Sequence, residues 1–251
     1  MAALYIGAVR LAGRRVRPWQ AATFAGALIV ILLSLCGPID ELEDDRLFLA
    51  HMAQHLLLCL VMPPLFLLGL SDWMVRPLLM NRWVRPLARL VCKPLVAFFI
   101  YNAVLVAAHS PGLYDLMCRD EAVHIATHLV MMASGVLLWW PLLSPLPELP
   151  RLNYPAQILY LFVLLIPMAA VAAPISFASG VIYPWYLEGP HPLGFAPLAD
   201  QVAGGLLMWV GAGFYVICVA TLIFRQWAQR DDCDDPVYVP SPTFSRGRGR
   251  G

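Results

Sequence analysis

Residues 47–70, LFLAHMAQHLLLCLVMPPLFLLGL, hold no acidic, lysine or arginine side chain, and they place His51 and His55 four residues apart. A run of this length, rising about 1.5 Å per residue as a helix, is long enough to cross the roughly 30 Å hydrocarbon core of a bilayer. The i,i+4 spacing sets both imidazoles on one face of that helix. Ionisable side chains in hydrocarbon are costly, so a histidine pair there points to a functional site rather than to packing. The same arrangement recurs at His124 and His128 in HIATH, inside the apolar run 122–143, so two pairs account for four of the six histidines.

Composition extends this reading to the whole chain. With 60% hydrophobic and 13% charged residues, it lies far outside the mix of soluble domains. It reads as an all-α polytopic transmembrane helix bundle of about six spans: Trp19–Gly37, Leu47–Leu70, Pro94–Ser110, Ala122–Leu143, Ala156–Ala178 and Gln201–Phe224. Fifteen of the seventeen Lys and Arg residues fall before span one, between spans two and three, between four and five, or after six, and only Arg46 and Arg119 fall on the other side. Retention of positive charge in cytoplasmic loops then places both termini in the cytoplasm. The acidic loop 38–46 and all six histidines face outward. Residues 1–18 form a basic cytoplasmic N-terminus, 19–226 the bundle, and 227–251 a disordered cytoplasmic tail whose polar composition cannot bury enough surface to fold. Between spans two and three, segment 71–93 mixes Trp73, Leu78, Trp83 and Leu87 with arginines and with Pro77 and Pro86, which suits short amphipathic pieces in contact with membrane lipid. Pro63, Pro64, Pro167 and Pro174 are expected to kink or break spans two and five. Nothing points to nucleic acid.

Two i,i+4 pairs on neighbouring helices would supply four imidazole nitrogens to a metal, so His51, His55, His124 and His128 are the candidate ligands. Cys59 and Met62 continue the face of the first pair, Met131 and Met132 that of the second, and imidazole with sulfur favours copper, Cu(I) especially. The sulfurs equally suit gap-filling between helices. His109, in HSPGLYD, is a further candidate, whereas His191 between two prolines reads as a solvated loop residue. Asp200 opens the last span as a ligand, a partner that orients a histidine, or the N-cap of its own helix. H-E-x-x-H and phosphate-binding glycine loops are absent.

Taken together, HMAQHLLLCLVMPPLFLLG, HSPGLYD, HIATHLVMMASGVLLWWP, YPWY and PLADQVAGGLLMW resemble the multi-span CtaG family of cytochrome c oxidase assembly proteins, from about Leu47 to Trp209. The resemblance implies a non-enzymatic protein of the bacterial inner membrane that helps form haem-copper oxidase, handling copper for its catalytic subunit. A periplasmic copper chaperone would be a further partner. The matching positions are His51, His55, His109, His124, His128 and Asp200. Two readings of another class stay open beside it: a membrane cytochrome using histidines as axial haem ligands, and a scaffold whose histidines bond only to one another.

Overall fold

The computed structural model describes residues 1–13, 15–188, 191 and 194–234, and among these it is helical throughout, without a strand. The helices are α1 (Ala2–Ala12), α2 (Pro18–Leu35), α3 (Pro38–Asp44), α4 (Phe48–Leu56), α5 (Met62–Gly69), α6 (Asp72–Leu79), α7 (Arg85–Val91), α8 (Pro94–Ala108), α9 (Pro111–Arg119), α10 (Glu121–Leu143), α11 (Tyr154–Ser176), α12 (Pro197–Leu206) and α13 (Ala212–Asp234). One π turn, Leu57–Val61, joins α4 to α5, and another, Leu207–Gly211, joins α12 to α13.

Among the described residues five stretches are long and apolar enough to cross a membrane: Pro18–Glu43, Phe48–Gly69, Glu121–Leu143, Tyr154–Ser176 and Pro197–Arg230. The expected third span is only the 15-residue helix α8, about 22 Å long, and reaches spanning length only together with α7, from which it is bent by 75°. Pro94 forces that break, because Lys93 ahead of it adopts extended backbone. Segment 71–93 contains the short helices α6 and α7 with Leu78, Trp83, Leu87 and Leu90 exposed. The last helix runs through Trp227 to Asp234, further than the sequence suggested, and the tail reading for 235–251 lies outside the described residues. Helix α11 runs through Pro167 and Pro174 without a break, since neighbouring helices can satisfy carbonyls that proline frees.

The double proline of span two does act on its helix. Pro63 and Pro64 have no N–H to offer the carbonyls of Cys59 and Leu60, four residues back. Those carbonyls are instead taken by the Trp139 indole N–H at 3.2 Å and the Tyr215 hydroxyl at 2.9 Å. Just ahead of the prolines the Met62 N–H reaches back five residues to Leu57, which makes the π turn. Helix α10 passes so close to it that a Cβ on Gly135 would lie 3.0 Å from the Cys59 carbonyl oxygen.

Two ends result. One gathers α3, α9, the segment around Tyr183–Leu187 and the starts of α4, α10 and α12. The other gathers α1, α6, α7 and the connection 144–153, where Tyr5 stacks on Phe24 at 3.9 Å and Arg76 meets Glu148 at 2.6 Å.

Candidate metal centre

Five of the six histidines meet at the first of these ends. Helix α4 presents His51 and His55, α10 presents His124 and His128, and His109 follows the last residue of α8. The rings of His55 and His128 lie 5.1 Å apart, those of His51 and His124 5.6 Å, and those of His55 and His109 5.4 Å. His51 is wholly buried, and His55 and His128 are each 4% exposed. Among the described residues no ring contact joins His191 to this group.

Hydrogen bonds fix the orientation of the rings. The His51 Nδ1–H donates to the Glu43 carboxylate at 2.8 Å, which turns the lone pair of Nε2 toward His55 Nε2, also at 2.8 Å. The His109 Nδ1–H donates to the Leu105 carbonyl at 2.8 Å, which leaves Nε2 as a bare acceptor. That Nε2, together with His55 Nδ1, His124 Nε2 and His128 Nε2, is buried with no hydrogen-bond partner. An unsatisfied buried polar atom costs about 1–3 kcal/mol, and four such nitrogens in one cluster fit a coordinated cation better than a self-bonded scaffold. Ligand atoms of His51, His55 and His128 lie within 4.8 Å of one another, as do those of Glu43, His51 and His124. Three neutral imidazoles suit a late first-row metal, copper included.

The start of α4 is built around this group. Asp200 accepts from the Phe48 N–H at 2.7 Å and the Leu49 N–H at 2.9 Å. It therefore caps the histidine-bearing helix across a gap in sequence, rather than its own helix. Gln201 beside it accepts from the Ile182 N–H and donates to the Ile175 and Gly180 carbonyls, which fastens the strap after α11. Gln54, between the paired histidines, donates to the Ser34 carbonyl and Asp40. Replacing Asp200 by Ala leaves two helix-start N–H groups uncapped in a buried place. It should lower stability by about 1–3 kcal/mol, read as a fall in the thermal midpoint of detergent-solubilised protein, with Asp200→Asn intermediate.

An aromatic lid covers the cluster. Tyr114 packs on His51 at 5.1 Å and its hydroxyl meets that of Tyr186 at 2.9 Å, while the Tyr183 hydroxyl donates to the His109 carbonyl. Arg46, in left-handed backbone with φ 70°, turns α3 into α4 and stacks over Trp185 at 3.9 Å. Arg119 bridges to Asp115 and Glu188 and holds the Glu188 carboxyl below its usual range. A cleft of about 560 Å³ opens beside the lid, lined by Asp40, Cys118, Arg119, His124, His128 and Met132.

The sulfur candidates separate. Cys59 and Met131 lie directly beneath His55 and His109, whereas Met62 packs with Ala27, Leu58 and Met132 against α2. The extra residue of the π turn rotates everything after it, carrying Met62 off the histidine face. Glu43, Tyr114, Tyr183 and Tyr186 were not foreseen. Glu43 reads as one of several loop acids until α3 folds it inward, to 4% exposure. The tyrosines lie in HSPGLYD and YPWY, two motifs whose convergence on the histidines only the fold reveals.

The profile of the cytochrome c oxidase caa3 assembly factor family, Caa3_CtaG, matches residues 3–230. The chain belongs to this family. Among curated proteins, this caa3 assembly factor family member is 26% identical over 204 residues to the uncharacterized protein Mb0105 of Mycobacterium bovis. It is equally similar to the uncharacterized protein MT0111 of Mycobacterium tuberculosis. Each match covers 74% of this chain and 31% of the relative, so the chain spans about a third of the length of either. No solved structure matches. The Caa3_CtaG match covers most of the chain and includes several helices long and apolar enough to cross a membrane.

Proposed function

We propose that this chain is a cytochrome c oxidase assembly factor that binds Cu(I) at its buried histidines and helps deliver it to the catalytic subunit of a haem-copper oxidase. In this reading the chain lies in a bacterial inner membrane with both termini cytoplasmic and the histidine end facing the periplasm. Copper, received from a periplasmic chaperone, enters through the cleft past His124 and His128. One observation carries the reading: the ligand atoms of His51, His55 and His128 lie within 4.8 Å of one another, in a group of rings with buried, unpartnered nitrogens. Copper here is cargo, so its ligands must exchange. Two or three imidazoles beside an open cleft meet that need better than a closed four-ligand structural site. The Glu43 carboxylate sharpens the site by raising the basicity of His51. Glu43→Gln should weaken Cu(I) affinity by about 10–100-fold in a competition titration with a chromogenic chelator.

The test is elemental analysis of purified protein after anaerobic Cu(I) loading and desalting, beside a folded variant in which His51, His55, His124 and His128 are all Ala. Copper bound in the parent and diminished in the variant supports the reading, and equal copper in both overturns it. Absence of copper from both, or iron with a haem Soret band, overturns it.

A further inference from the structure

Beneath the histidines lies a chamber that the copper reading does not use. Its free space is about 10 Å³, room for a single occupant the size of a water molecule. Five sulfur-bearing residues line it: Met52, Cys59, Met131, Met168 and Met208. That is four of the ten methionines of the chain and one of its six cysteines, brought from four helical segments to one point. Cys59 sits in the first π turn and Met208 in the second. Departures from α-helical geometry of this kind are frequent where a helix serves a site. His55 and His109 form the roof. The roof supplies the decisive polar atom, because His109 is fixed by its Nδ1–H bond to Leu105, and its Nε2 is buried without a partner. A water there would find few polar groups to bond, whereas a thiophilic cation would find thioethers, a thiol and an imidazole.

We propose that this chamber is a second binding position for a soft monovalent cation, Cu(I) or its probe Ag(I), held by the His109 imidazole and the thioethers of Met131, Met168 and Met208, with the Cys59 thiol beside them donating to the Met131 carbonyl. His55 belongs to both the histidine group and the roof of the chamber, so it stands between the two positions. The inference takes its cargo from the proposed function, but its ligands are a separate set. An ion moves from one position to the other by ligand exchange at His55, with no change of oxidation state. Neutral thioethers hold Cu(I) while rejecting harder divalent ions, so the chamber adds selectivity that imidazoles alone lack.

The experiment titrates the full chain in lipid nanodiscs with Ag(I), and with Cu(I) under anaerobic conditions, and records stoichiometry and X-ray absorption. Two variants are compared with the parent: Met131→Leu with Met168→Leu and Met208→Leu, near-isosteric changes that preserve packing, and His51→Ala with His128→Ala. The parent should bind two ions per chain. The methionine variant should bind one in a nitrogen-dominated shell, and the histidine variant one in a sulfur-rich shell. If packing fails in the triple variant, Met208→Leu alone should still lower the sulfur scattering and weaken one of the two ions. A single ion with a nitrogen-only shell in the parent, or two ions retained in a folded methionine variant, overturns the chamber and shows the methionines to be gap-fillers, leaving the histidine site standing. A single sulfur-bound ion indifferent to the histidine changes would overturn the proposed function instead and uphold the chamber.

Discussion

His51→Ala is expected to lower Cu(I) affinity by more than about 100-fold, beyond the range for losing a residue that only orients a ligand, and equivalent to roughly 2.8 kcal/mol or more. The size follows from position. His51 belongs to both ligand groups, with His55 and His128 and with Glu43 and His124, so its removal dismantles both. The change also strands the Glu43 carboxylate, whose hydrogen bond to the His51 ring lies in a region closed to water. Some stability should be lost as well, because a buried carboxylate without its partner is unfavourable. His128→Ala separates the two effects, since it leaves no carboxylate behind and should reduce copper binding with a smaller change in the thermal midpoint. His191→Ala should leave both unchanged. Chelator competition and thermal unfolding on the same samples check all three, and undiminished copper in His51→Ala would place the site elsewhere.

Gly204→Ala should be a strongly damaging single-methyl change beside the ligands. A Cβ at Gly204 falls on the Phe48 ring and 3.1 Å from Met52 Cγ. Phe48 cannot swing aside, because it is 1% exposed and stacks on Tyr183 at 5.4 Å while meeting Tyr186 edge-on at 5.3 Å. Overpacking of this kind costs about 1–3 kcal/mol. The strain falls on the first residue of α4, where Asp200 holds the Phe48 N–H, so the histidines three and seven residues later should shift with it. The comparison is Gly213→Ala, where an added Cβ meets nothing within 4 Å. In mid-helix that change should stabilise by up to about 1 kcal/mol through helix propensity. Opposite shifts of thermal midpoint are therefore expected from the same chemical change at two sites nine residues apart in sequence, and copper retention should fall only for Gly204→Ala.

Apolar length and histidine spacing made the bundle legible, because both are periodic properties of a single helix. The sequence also showed the two pairs sharing a depth, although not that their helices touch, which rests on contacts between residues 55 and 128. Local chemistry misled where a distant partner competes. Asp200 reads in sequence as a ligand, a partner that orients a histidine or the cap of its own helix, and its carboxylate caps α4, about 150 residues away in sequence. Glu43 is one acid among Asp40, Glu41, Asp44 and Asp45, and no pattern singles it out before α3 turns it toward His51. The third span, Pro94–Ser110, matches helix α8 to within two residues, but hydropathy does not show that this helix reaches spanning length only with α7, across a bend of 75°. Met62 was misplaced because a fixed 3.6-residue period cannot anticipate a π turn.

The paired prolines give that turn a meaning for selectivity. Were Pro63 an ordinary residue, its N–H would reclaim the Cys59 carbonyl from Trp139, and the α-helical ladder could close over positions 57–61. Removing the surplus residue of the turn would rotate one half of the span against the other, so Cys59 and His55 could no longer share one chamber. The preference of the inner position for soft ions is then governed by a side chain that never meets the ion, through the hydrogen bond it fails to make.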